Sequence, residues 1–245
     1  MSTRPTAAAF LTELARLRRD HGADDGATAT STPGPAATRM PMRAIFMLAK
    51  TYVDMAPAEI DVLLDQPEHD ARVGAVSIMD FQARRTSTPP DRRRELYELY
   101  MRRHDRIDSW DLVDRSAPHV VGGYLHDKPR DPLYVLARSD SQWERRTAIV
   151  ATWYFIRQGD LDDTFAIAEI LVDDDADLVR KAVGSWIREA GKRDRDRLLS
   201  YLDQHAATMP RTTLRYAIEH LTPDERRRYL SLRKAAAMGA PTGDG

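Results

Sequence analysis

The chain contains no cysteine among its 245 residues. That excludes disulfides, cysteine zinc sites and a thiol nucleophile, and makes an intracellular setting the default expectation. Net charge is nearly absent too, at −1, so contact with nucleic acid would have to come from local basic patches and not from a global field. Long apolar runs are missing: the longest, Ala148 to Ile156, is broken by Thr152 and is far too short to span a bilayer. The N-terminus lacks the basic stretch followed by an apolar one that a signal peptide needs. No membrane partner and a cytoplasmic location are therefore expected. No segment sustains two-residue alternation, so no sheet is expected. Gly-rich phosphate loops, His-Glu-x-x-His and Gly-x-Ser-x-Gly are also missing. The seven histidines are scattered. His119 and His126 share a seven-residue spacing, but no carboxylate partner stands out beside them. Neither a metal site nor a cofactor is expected.

What is present is charge of both signs, 31% of residues, and helical periodicity almost throughout. Residues 5–20 form a short amphipathic helix, with Pro5 at a first helical position and Phe10, Leu11, Leu14 and Leu17 as its apolar stripe. Residues 21–40, rich in Gly, Ala, Thr, Ser and Pro, have too little large apolar surface to fold and are expected to be a flexible linker. From about 41 to 233 helices are expected near 42–54, 57–65, 69–84, 91–105, 109–126, 131–138, 141–157, 161–173, 177–190, 195–206, 210–221 and 223–233. Residues 234–245 are expected to be a disordered tail. An Ala followed by a β-branched residue recurs at Ala75-Val76, Ala148-Ile149, Ala182-Val183 and Ala217-Ile218. The later intervals are 34 and 35 residues and the first, 73, is near two such periods, a spacing in the range of stacked helix pairs. The same dipeptide is common in any helical protein, so the repeat is suggestive only. The fold expected is all-α, a curved right-handed solenoid of HEAT-like helical repeats, whose hollow face suits an elongated partner.

The segment Ser109-Trp110-Asp111-Leu112-Val113-Asp114-Arg115-Ser116-Ala117-Pro118 is the most unusual. Ser109 suits a helix N-cap. Trp110 and Asp114 lie four apart and share a face. Pro118 has no N–H to give the Asp114 carbonyl, so a bend is expected. An aromatic face beside a carboxylate can stack on a sugar or base and hold negative charge there. A core Trp beside a solvated Asp is the competing reading. Two later segments carry basic residues: Trp143-Glu144-Arg145-Arg146-Thr147-Ala148, and Val179 through Glu189. Lys181, Arg188, Lys192 and Arg195 fall at steps that can line one face and neutralise phosphates. With Asp177, Glu189 and Asp194 nearby, they also fit a salt-bridged surface. The run Arg92-Arg93-Arg94, beside Glu95 and Glu98, reads as solvent-facing.

Taken together, these segments resemble the AlkD-type alkylpurine DNA glycosylases. Trp110-Asp111-Leu112-Val113-Asp114 resembles that family's Trp-Asp-x-Val-Asp signature. Trp143 to Ala148 resembles its arginine-bearing helix at Arg146. Lys181-Ala182-Val183-Gly184 through Arg188-Glu189 resembles its Lys-Ala-Ile-Gly-Trp-x-x-Arg-Glu stretch. The similarity runs in order over residues 41–230. It implies a HEAT-like solenoid that hydrolyses the N-glycosidic bond of cationic alkylated purines, such as 3-methyladenine and 7-methylguanine, without placing the base in a protein pocket. By the match, Asp114 is the catalytic carboxylate and Trp110 packs on the deoxyribose of the lesion. Arg146 and Arg188 contact the DNA backbone, with Lys181 and Trp186 as further DNA-facing candidates. Double-stranded DNA containing alkylated purines is the expected partner, and a monomer is expected. The chain departs from the pattern in carrying Ser185 where the family has Trp, with Trp186 one residue on, turned by about 100° on a helix. The family's N-terminal DNA-contacting Tyr has no counterpart that can be placed. The alternative is a non-catalytic HEAT-like module that binds a DNA structure or a protein.

Overall fold

The structure, a computed structural model, describes residues 5–26 and 40–238, and among them it contains helices and no strand. The all-α expectation holds. The chain divides into two compact units, Met1–Tyr124 and Leu125–Gly245, where the sequence reading had one repeat domain over 41–233.

The first unit contains α1 (Ala7–Gly26), α2 (Met42–Thr51), α3 (Pro57–Leu64), α4 (His69–Arg84), α5 (Pro90–Arg102), α6 (Trp110–Ala117) and most of α7 (Gly123–Leu125). Prolines open α3 and α5, where a missing N–H costs nothing. At α1 the helix begins after Pro5, and the Thr6 hydroxyl accepts the Ala9 N–H at 3.2 Å, so Thr6 is the cap. The helix runs on past residue 20 to Gly26. The rest of the expected linker, 27–39, lies outside the described residues, as does 239–245 of the expected tail, whereas 234–238 of that tail continue the last helix, Pro223–Met238. Of the α1 stripe, Phe10 and Leu14 are buried, and the helix packs on α2 and α3. Helices α2, α4 and α6 pack in succession as one row, with α3 and α5 packing beside α4 as the other.

The second unit contains α8 (Asp131–Leu136), α9 (Gln142–Ala151), α10 (Trp153–Gln158), α11 (Asp162–Ile170), α12 (Asp177–Gly191), α13 (Arg195–His205), α14 (Arg211–Ala217) and α15 (Pro223–Met238). Here α9, α12 and α14 pack in succession, and α8, α11 and α13 pack against that row. The four Ala–Val/Ile pairs sit within or at the end of α4, α9, α12 and α14, and all are buried. Alanine there lets neighbouring backbones approach, which is the physical content of the repeat.

Two expected helices are interrupted. The span 141–157 breaks at Thr152, fully buried, whose hydroxyl donates to the Ile149 carbonyl at 2.7 Å. That carbonyl also takes the Thr152 N–H at 3.2 Å, tightening the turn. Gly159 then ends α10 with φ of 84°. The Asp160 N–H reaches the Phe155 carbonyl and the Gly159 N–H the Ile156 carbonyl, a left-handed closure that favours glycine. The second interruption, after Ala117, lies at the candidate site.

Candidate functional site

Helix α6 starts at Trp110 because Ser109 is extended (φ −150°, ψ 157°) and its carbonyl takes the Val113 N–H at 3.2 Å. Contrary to the expectation from sequence, the Ser109 hydroxyl does not cap the helix. It donates instead to Asp111 Oδ1 at 2.6 Å. His69 Nε2 lies 2.8 Å from Asp111 Oδ2. Burial alone would raise the Asp111 carboxyl. The hydrogen bonds from His69 and Ser109, with the charge of His69, outweigh it and bring the pKa down to about 2 from an ordinary 3.8. Asp111 therefore binds fewer protons folded than unfolded. Its contribution, about 2 kcal/mol by this shift, is complete above pH ~5 and lost as pH falls towards 2. Asp111→Asn is expected to flatten that acid limb in a urea titration of stability against pH. An unchanged acid limb would remove Asp111 as its cause.

With Asp111 held inward, its neighbour Trp110 is directed outward and is 54% exposed. That rejects the core-Trp reading, since a side chain of this size is ordinarily well buried. Asp114, four residues on, is half-buried. Leu112, Val113, Ser116 and Ala117 face the core. Beyond them Pro118–Gly122 forms a π-turn, closed by the Gly123 N–H on the Pro118 carbonyl. The bend expected from Pro118 is present in this form, and such widened turns concentrate at functional sites.

The segment is clamped to α4. Arg115 lies between the rings of Phe46 and Phe81, 4.4 and 4.7 Å from their centroids. Its Nε donates to Ser77 Oγ at 3.2 Å, and a terminal nitrogen sits 3.1 Å from Asp80. His119 Nδ1 is 3.0 Å from the other Asp80 oxygen. Asp80 is 1% exposed. His69, Ser77 and Asp80 on α4 thus meet Asp111, Arg115 and His119, which recur every four residues around Asp114. Sequence reasoning missed this ladder and left His119 without a carboxylate. No local spacing signals it: 69/77/80 steps by eight and three residues, 111/115/119 by four and four, and the two sets lie on different helices.

In the second unit the predicted DNA contacts are held by the protein itself. Arg146, 6% exposed, donates to the Leu178 carbonyl at the start of α12. Arg188 is paired with Glu219 and, at 3.3 Å, with Glu189. Lys181 pairs with Asp177 at 2.8 Å, Lys192 with Glu189 at 2.7 Å, and Arg195 with Glu225. The stripe is therefore a salt-bridged face, with Glu219 and Glu225 as partners the sequence did not reveal. The half-buried Trp186 donates its indole N–H to the Val150 carbonyl of α9 at 3.1 Å, while Ser185 is also half-buried. Of the run 92–94, Arg92 and Arg94 do pair with Glu95 and Glu98. Arg93 instead turns inward and donates to the carbonyls of Ala83, Arg85 and Thr88, at the end of α4 and in the turn that follows it.

Residues 39–221 match the family of DNA alkylation repair enzymes. The chain belongs to that family. Its work is therefore the repair of alkylated DNA, with DNA as the substrate. A search among curated proteins finds no match. For a member of the DNA alkylation repair family, Gly184 has a plain physical reason. A Cβ there would lie 2.5 Å from the Thr213 carbonyl oxygen and 2.6 Å from Tyr216 Cβ, so only glycine lets α12 and α14 pack this closely. Gly184→Ala is expected to destabilise the protein by about 1–3 kcal/mol. A thermal melt equal to the wild type would show that the two helices separate at no cost. Among the described residues no helix is long and apolar enough to cross a membrane, and no His, Asp and Glu gather as a metal-holding group.

Proposed function

We propose that the protein is a DNA glycosylase that hydrolyses the N-glycosidic bond of cationic N3- or N7-alkylpurines in duplex DNA. The observation that carries this reading is the outward-facing Trp110 with Asp114 one turn on, borne by a helix whose intervening and following residues are locked to α4. A site must be held to a fraction of an ångström to act, and this one has its supporting shell.

The chemistry asks for little else. An alkylated purine carries positive charge already, so it leaves with the bonding electrons and becomes neutral without a general acid. As the C1′–N bond lengthens, charge passes to the sugar. The Asp114 carboxylate stabilises the oxocarbenium-like centre and orients a water, whose oxygen bonds C1′ and whose proton passes to the carboxylate or to solvent. The Trp110 face adds cation–π attraction to the same centre. In this reading Arg146 and Arg188 reach phosphate only by exchanging Leu178 and Glu219 for it. Otherwise they shape the helices that carry Lys181 and Trp186.

A second reading, a module that binds DNA without excising bases, is favoured by one feature. Ser185 stands where the family carries Trp, and Trp186 is tied to α9. Duplexes carrying 7-methylguanine, 3-methyladenine or uracil separate these readings. The glycosylase is expected to release the two cationic bases and leave uracil in place, because uracil needs a leaving-group acid. Uracil release at a similar rate contradicts this mechanism. Retained affinity with no release of any base supports the second reading.

A further inference from the structure

The second unit contains a cleft of about 680 Å³ bounded by α12, α14 and α15. Its cations are Lys181, Arg211, Arg215 and Arg226, and its one acidic residue is Glu219. Glu219 is already paired with Arg188, and Lys181 with Asp177. Arg211, Arg215 and Arg226 are exposed, and their guanidinium groups have no hydrogen bond or ion pair among the described residues. This sets them apart from the stripe of Lys181, Arg188, Lys192 and Arg195, where each cation has its carboxylate. Three guanidinia around one cleft repel one another unless an anion joins them. Arg211 and Arg215 stand one turn apart on α14, about 6 Å along the helix axis. The cleft is open and also carries Tyr216.

We propose that this cleft is a phosphodiester-binding site, in which Arg211, Arg215 and Arg226 hold backbone phosphates of duplex DNA. A guanidinium grips phosphate through paired N–H donors, and free ones do so without first breaking an internal ion pair. The phosphate-binding part expected of Arg146 and Arg188 thus passes to α14 and α15. This rests on the reading of duplex DNA as the substrate, but not on base excision.

The test is affinity for an undamaged duplex measured against salt concentration. Each phosphate neutralised contributes ~0.9 to the slope of log affinity on log salt. The variant carrying Arg211→Ala, Arg215→Ala and Arg226→Ala is expected to lose about two to three units of slope. The corresponding triple Arg→Lys variant is expected to restore most of it. Arg227→Ala removes an exposed cation paired with Asp224 within α15 and is expected to leave the slope unchanged. An unchanged slope in the triple Ala variant overturns the proposal. So does an equal fall per charge in Arg227→Ala, which would make the effect one of net charge. Displacement of the duplex by millimolar inorganic phosphate, with no change of salt slope between the proteins, would mark a small-anion site and also overturn it. Loss of slope in a protein that releases no base leaves this site standing and removes the glycosylase reading instead.

Discussion

Replacing Asp114 with Asn is expected to lower the rate of 7-methylguanine release by about 100- to 1,000-fold while leaving duplex affinity near that of the wild type. The substitution keeps shape and removes charge. A preorganised electrostatic group of this kind contributes about 3–4 kcal/mol to the transition state and little to the ground state. Asp114 is half-buried and opens from a helix whose packing residues are Leu112, Val113, Ser116 and Ala117. The fold should therefore survive, which a thermal melt checks. Equal release by the variant would mean that another group carries the charge. A collapse of stability with loss of both functions would make Asp114 a structural residue.

Asp80→Ala is expected to destabilise the first unit by about 3–5 kcal/mol, read from the urea midpoint. Asp80 is almost fully buried and sits 3.1 Å from Arg115, 3.0 Å from His119 and 3.5 Å from Arg84. Burial already lowers the Arg115 guanidinium pKa against the pull of Asp80. Taking the carboxylate away leaves a charge confined between two aromatic rings without its counter-ion, and that penalty, more than the lost attraction, sets the magnitude. Adding Arg115→Met should then recover part of the loss, since an apolar pair removes the stranded charge. A single variant as stable as the wild type, or a double variant worse than the sum of its parts, would show that the ladder does not hold α6 to α4. The same ladder predicts that Asp80→Ala slows base release through the position of Asp114, with duplex affinity less affected.

Much of this was legible in the sequence, and the failures have physical causes. Helix α4 was placed at its observed bounds because Pro67 and the run after Arg84 punctuate it and its apolar spacing is regular. The break at Thr152 was not, because it depends on one buried hydroxyl turning back on its own helix. The irregularity at Pro118 was foreseen from the missing N–H, though not its π form. Trp110 and Asp114 were singled out because they lie within about one helical turn. Their supports were not, because His69, Ser77 and Asp80 come from another helix, and a pairing across about 40 residues leaves no trace in local spacing. The arginines show the same limit. Arg188 and Arg211 look alike in sequence, and the positions of Glu219 and Glu189 put one in internal ion pairs and leave the other free.

In the proposed mechanism a single carboxylate beside an exposed Trp suffices to expel a cationic purine. Single-turnover release of free 7-methylguanine from a methylated duplex, with protein in excess and spontaneous depurination as the baseline, tests it most directly. Release well above that baseline is expected, with the rate falling in both Asp114→Asn and Trp110→Ala. Release no faster than the spontaneous rate, by a folded protein that binds the duplex, would contradict it.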